Sequence, residues 1–184
     1  FPAGFRNEVQ VVATSLVADQ VNPVDTMCVM AASAAFTVGG VPFEGPLACV
    51  RIGRNPETGE FIVNPTYDER DASDLDLELA GSDSFISMLE ASADEISEED
   101  MLAAMTLGQE AIAAFCDKQA EFIAKVNPTP MEYKLHTPAP EIAERVEPYF
   151  DRMSAALKDA DKLSRMGKVE DLKAEITTNE FSDE

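Results

Sequence analysis

Basic residues are scarce in this chain, with 14 Lys and Arg against 35 Asp and Glu and a net charge of −21. A field of that sign repels phosphate backbones at long range, so charge alone argues against a surface built broadly for nucleic acid. Cysteine is scarcer still. Cys28, Cys49 and Cys116 are odd in number, widely spaced and set among apolar neighbours, a pattern that speaks against a disulfide framework or a zinc site and for reduced, buried thiols of a cytoplasmic protein. The single histidine, His136, sits in a proline-rich stretch with no Ser, Cys or paired carboxylates patterned around it, so it is read as a linker residue and not as a catalytic base. No apolar run approaches the roughly 18 to 20 residues that span a bilayer, and no basic, apolar leader opens the chain. Internal repeats and low-complexity segments are also lacking. What is present is a soluble chain of 184 residues, long enough to bury a core in one or two compact units.

Local patterns divide the chain. The β-branched run from Val9 to Val17 is expected to form a largely buried strand. Asn22-Pro23 is read as a helix start with Asn as cap, Asp25 suiting the positive end of the dipole, and the small apolar run Met27 to Val38 as a helix buried between layers and stopped by Gly39-Gly40. Strands near 47–53 and 60–64 flank the turn Asn55-Pro56-Glu57-Thr58-Gly59, giving a hairpin. Leu75, Leu77 and Leu79 alternate with Asp74, Asp76 and Glu78, which predicts a strand with one apolar and one solvated acidic face; 85–89 is its expected neighbour. Ser97 and Asp100 cap a long amphipathic helix whose apolar positions Met101, Met105, Ile112, Phe115 and Ile123 run up to Asn127-Pro128. Four prolines between Asn127 and Pro140 mark a domain boundary, so 1–127 and 128–184 are read as separate domains. Beyond it, 141–161 is expected as one helix with the stripe Ile142, Val146, Phe150, Met153 and Leu157, and about 168–177 as a second.

The succession Gly4-Phe5-Arg6-Asn7-Glu8-Val9-Gln10-Val11, Gln20-Val21-Asn22-Pro23, Ala32-Ser33-Ala34-Ala35, Gly40-Val41-Pro42-Phe43-Glu44-Gly45-Pro46, Asn64-Pro65-Thr66, Leu75-Asp76-Leu77, Ala80-Gly81, 88–93 and 97–102 resembles the first RNase PH-like core domain of bacterial polynucleotide phosphorylases. No one of these motifs is specific; their order and spacing are. The resemblance covers the first two thirds of the chain most strongly. It implies an α/β (α+β) fold, an RNase PH-like half-domain related to the second domain of ribosomal protein S5, followed by the start of an all-α linker domain. It also implies a fragment, since a chain opening Phe1-Pro2 resembles the middle of the family's domain, and an apolar patch where neighbouring strands would lie.

By the same resemblance the parent is a phosphate-dependent 3′-to-5′ exoribonuclease that phosphorolyses RNA to nucleoside diphosphates with Mg²⁺, assembles as a cytoplasmic homotrimer, and engages degradosome-type partners but no membrane. Its chemistry belongs to a second RNase PH-like copy. Here Val24 and Asp25 fall where that copy has a phosphate-binding serine pair, and a carboxylate in the first helical turn repels phosphate. Asp76 matches a metal-binding aspartate, but Glu78 replaces a lysine and Arg70 replaces the other metal-binding aspartate, so Asp76 is only a residual metal position. No catalytic residue is expected, and the segment reads as a silent scaffold and channel wall. Arg6, Arg51 and Arg54 are the cations able to meet RNA phosphate; Arg6, within the family-like segment, is the chosen RNA-binding residue, and surface ion pairing is the competing role for all three. The alternatives are a structural or partner-docking module, or a single-domain RNase PH or exosome-type subunit.

Overall fold

The computed structural model describes residues 1–182. The chain divides into two compact units, the first Phe1–Leu135 and the second from His136 onward. In the first unit, helix α1 (Asp25–Val38) precedes a four-stranded antiparallel sheet of β1 (Ala48–Arg54), β2 (Phe61–Val63), β3 (Leu75–Gly81) and β4 (Ile86–Ala93), with the short helix α2 (Tyr67–Asp71) between β2 and β3 and the long helix α3 (Glu98–Val126) after β4. The strand order is β2-β1-β3-β4.

The alternation of β3 is what orients this sheet. Its leucines Leu75, Leu77 and Leu79 are fully buried, and register pairs Leu77 with Ile52 and Leu79 with Val50, so one face of the sheet is continuous aliphatic surface. Helix α3 covers it with Ala104, Ile112 and Cys116. Gly108 permits the close approach, because a Cβ there would meet Leu79 Cδ1 at 2.2 Å. Ser97 starts α3 by accepting from Asp100 N–H at 3.0 Å, and Asn127 ends it in the left-handed conformation. The β1–β2 turn closes as its composition predicts, with Asn55 Oδ1 accepting from Glu57 N and Thr58 N, and Gly59 at φ +73.

Several expectations are corrected. Residues 9–17 form no strand and are exposed, since neither edge of the sheet pairs with them and an unpartnered strand gains no ladder bonds. They lie instead along α1, bounding an apolar groove of about 690 Å³ with Met27, Cys28, Ala31, Ala35 and other helix residues. Asn22 is not the helix cap. Its N–H and side chain are taken by the Asp19 carboxylate at 2.8 and 2.6 Å, and Val24 occupies the cap position without a side-chain bond. Nor is α1 enclosed between layers: only Thr26 and Ser33 are buried, because one side packs on β1 and α3 and the other meets the exposed 9–17 segment. Gly39 ends the helix as expected, and Gly40, at φ +70, accepts Met131 N–H at 2.8 Å, bringing the proline-rich connector back onto the first unit. An aromatic group of Phe1, Phe5, Phe36, Phe43 and Tyr133 joins there, with Phe1 stacked on Phe5 at 5.4 Å.

The second unit holds α4 (Pro140–Val146), a 3₁₀ turn at Glu147–Tyr149, α5 (Phe150–Leu157) and α6 (Lys162–Phe181). The single helix expected over 141–161 is therefore broken. Pro148 has no N–H to continue the ladder and its ring crowds the preceding turn. The break shifts the inward face, so Ala156 is buried while Phe150 and Leu157 are exposed. The last helix is longer than expected because Asp161 caps it, accepting Ser164 N–H at 2.7 Å. Asp159, next to it, accepts from Ser164 Oγ at 2.7 Å and from Lys168 Nζ at 2.5 Å. The Lys168 ammonium, then Ser164, hold the Asp159 carboxyl at about 2.

Two outcomes follow from this packing. Truncating Ile112 to Ala at the α3–sheet contact is expected to lower unfolding free energy by about 2–5 kcal/mol in urea titrations. A folded pKa below the unfolded one gives stability that is present above about 4 and lost as pH falls through about 2. Asp159→Asn should therefore weaken the α5–α6 joint at pH 7 and have no effect at pH 1.5, as followed by helical circular dichroism.

Candidate functional site

The polar face of the sheet gathers around one guanidinium. Because Cys49 and Arg51 lie one residue out of phase with Val50 and Ile52, they point away from the α3 side, and the β1–β3 register sets Arg51 opposite Glu78 and Gly53 opposite Asp76. Gly53 presents no side chain, so Arg51 reaches Asp76 diagonally. Its Nη1 donates to Asp76 Oδ1, and Nη2 donates to Glu78 Oε2 and, at 2.8 Å, to Asp25 Oδ2 at the start of α1. Arg51 is 9% exposed. Burial works against its charge, but the bond to Asp76 and the fields of Asp76, Asp25 and Glu78 outweigh it and raise its pKa. Arg70 Nε adds a second positive charge 3.8 Å from Asp76 Oδ2.

The solvated acidic face expected for β3 is thus corrected. The side chains of Asp74, Asp76 and Glu78 retain 16%, 31% and 19% of their exposure, and all three pair with arginine. Arg54 joins Asp74 at 2.5 Å and Asp100 at 3.2 Å, which ties the end of β1 to the first turn of α3. Asp25 keeps its place in the first turn, where its Oδ1 also accepts from Thr26 N at 2.9 Å. Arg51 and Arg54, two of the three cations considered for RNA, are committed to internal ion pairs. Arg6 is exposed between Phe5 and a bend at Asn7, and among the described residues no hydrogen bond or ion pair joins it to the Arg51 group.

Cys49 shares this face. Its Sγ donates to Glu78 Oε1 at 3.3 Å, and burial first, then that bond and the Glu78 charge, push the thiol up to about 12. Cys116, on the buried side of α3, is likewise raised, chiefly by burial. In both, burial disfavours the thiolate, which is the nucleophilic form. His136 lies at the start of the second unit.

Whether these carboxylates suit a divalent cation can be judged from their bonds. A Mg²⁺ ion needs carboxylate oxygens free to face it within an octahedron of oxygens. Asp25, Asp76 and Glu78 instead turn oxygens onto the Arg51 guanidinium, and among the described residues no group of three or more His, Cys, Asp or Glu converges to hold a metal. The residues do not fit the ion. The centre of this arrangement, Arg51, is visible in sequence only once the β1–β3 register is known, because nothing local links it to 25, 76 and 78.

The fold is that of an RNase PH type of domain. Residues 45–111 match the family "3′ exoribonuclease family, domain 2". The crystal structure of rice (Oryza sativa) Rrp46 has the same fold, with a TM-score of 0.51 at 18% identity over 56% of this chain and 49% of that one. The polyribonucleotide nucleotidyltransferases of Listeria welshimeri and Leptospira biflexa are 37% and 42% identical over 96% and 90% of this chain. That of Heliobacterium modesticaldum is 37% identical over 92%. The chain belongs to the polyribonucleotide nucleotidyltransferase family, and spans 24% of the length of each of these relatives.

Removing the guanidinium leaves three partly buried carboxylates facing one another. Arg51→Met is expected to cost about 3 kcal/mol of stability, and Arg51→Lys to recover only part of it, since an ammonium cannot reproduce the planar fork. Urea titration of both variants measures this. In iodoacetamide labelling of the folded protein at pH 8, Cys28, which is only half-buried, is expected to react well before Cys49 and Cys116.

Proposed function

We propose that this chain is a scaffold and channel-wall segment of a phosphate-dependent 3′-to-5′ exoribonuclease, an enzyme that phosphorolyses RNA to nucleoside diphosphates. In this reading residues 1–127 are the C-terminal part of an RNase PH-like core domain and 128–184 belong to a helical linker domain. The parent enzyme works in the cytoplasm as a homotrimer, uses Mg²⁺ and inorganic phosphate at another RNase PH-like copy, and is open to partners in RNA turnover. The names of the relatives support the reaction class.

One observation carries the silence of this segment. The Arg51 guanidinium takes the carboxylates of Asp76, Glu78 and Asp25, so the protein's own cation sits where a metal-dependent copy would need free oxygens. The first turn of α1 supports the same reading. A helix N-terminus attracts phosphate through free amides, yet here Asp25 supplies the negative charge. Asp76 then keeps only the position of a metal ligand, with a structural role. Arg6 remains the cation available to RNA phosphate, exposed and outside the internal ion pairs.

The test is direct. The 184-residue chain, incubated with a labelled oligoadenylate, Mg²⁺ and inorganic phosphate, is expected to release no nucleoside diphosphate. Phosphate-dependent release would overturn the silent-copy reading. Ultraviolet cross-linking of the same oligonucleotide is expected to fall several-fold in Arg6→Ala and to stay unchanged in Arg54→Ala; equal loss in both would remove Arg6 from the proposal.

A further inference from the structure

We infer that the outward face of α6 around Gly167 is a docking site for an acidic amphipathic helix of another protein. α6 packs on α5 and α4, with Val169, Leu172 and Ile176 on its buried or half-buried side. Leu163, Met166 and Gly167, spaced three and four residues apart, share an exposed face, where Leu163 is 78% and Met166 56% exposed. Leu157, 57% exposed at the end of α5, adds apolar surface at the α5–α6 joint. The glycine has no use in the chain's own packing. Its backbone is not left-handed, and a Cβ there would meet nothing within 4 Å beyond its own helix backbone and chain neighbours. A glycine weakens a helix interior, and what it offers in return here is a close approach for a backbone from outside. An exposed Leu and Met beside such a gap are what a helix laying its apolar stripe across α6 would cover.

Charge selects the occupant. In a chain at −21, residues 157–168 hold four cations, Lys158, Lys162, Arg165 and Lys168, against the two carboxylates of Asp159 and Asp161. Both carboxylates are engaged within the joint, Asp159 by Ser164 Oγ and Lys168 Nζ and Asp161 by Ser164 N–H. Arg165 Nη1 donates to Asp159 O at 2.7 Å. Lys158 and Lys162 are exposed and have no ion pair among the described residues. Lys162 also opens α6, whose first turn carries no acid, so its charge meets the positive end of the helix dipole. Carboxylates beside the apolar stripe of an incoming helix supply the missing counter-charge. A second copy presenting the same face would set cation against cation, so symmetric self-pairing is disfavoured. RNA would meet the lysines but leave Leu163 and Met166 uncovered, and the face from Leu163 to Glu170 holds no aromatic ring for a base to stack on.

The probe is a fluorescein-labelled peptide of about four helical turns, built from Leu, Ala and Glu with the leucines on one face, titrated against the full chain by anisotropy. A scrambled peptide of the same composition and charge, its leucines spread round the helix, is the control for unspecific attraction. The expected result is at least tenfold tighter binding of the amphipathic peptide. Gly167→Leu enters open space and leaves the fold intact, as helical circular dichroism checks, and is expected to weaken binding at least tenfold by blocking the close approach. Reversing charge with Lys158→Glu and Lys162→Glu together is expected to do the same without touching the apolar face. Equal binding of the two peptides would overturn the inference. So would binding left unchanged or tightened by Gly167→Leu, binding left unchanged by the double charge reversal, displacement of the peptide by an oligoadenylate at lower concentration than by unlabelled peptide, or self-association through this face.

Discussion

The polar side of this domain depends on a single buried guanidinium shared among three carboxylates from two elements of the chain. Arg51 on β1 holds Asp76 and Glu78 of the neighbouring strand and Asp25 at the start of α1, so one side chain fixes the sheet's acidic face and the entry of the helix. An arginine suits this task because its planar donors meet several acceptors at once and its charge survives burial. The arrangement is one of specificity more than raw stability, since the desolvation of buried ions consumes much of what their attraction returns. Arg54 repeats the device on a smaller scale, joining β1 to the N-terminus of α3 through Asp74 and Asp100.

The opposite side of the sheet needs no such device. Aliphatic residues of β1 and β3 meet α3 across a contact made close by Gly108, and burial alone drives their association. The two sides have different consequences for function. The apolar side positions α3, whereas the polar side gathers carboxylates and spends them on arginine, and among the described residues no group of three or more His, Cys, Asp or Glu converges as a metal site would need. A heavily acidic protein related to exoribonucleases is less paradoxical in this light, because acid that is internally paired does not all project as field.

Element by element, legibility followed locality. The 55–59 turn, the leucine alternation of β3, the Ser97 cap and the Asn127 stop depend on neighbouring residues and were readable as such. The Val9–Val17 run has strand composition, but a strand is a relation between segments, and neither edge of the sheet pairs with it. Pro148 was a local signal too, whose breaking of the 141–161 periodicity outweighs the apolar stripe. Asn22 was misassigned because a capping side chain has competing partners, and Asp19, three residues earlier, takes it.

The sequence by itself determined the family through ordered motifs, the elements through periodicity and turn chemistry, and the excess of acid through composition. Only the tertiary structure decided that Arg51 unites residues 25, 76 and 78 and that the Cys49 thiol donates to Glu78. The physical reason is that these contacts join residues far apart in the chain, and their meeting is set by strand register, which no single segment encodes.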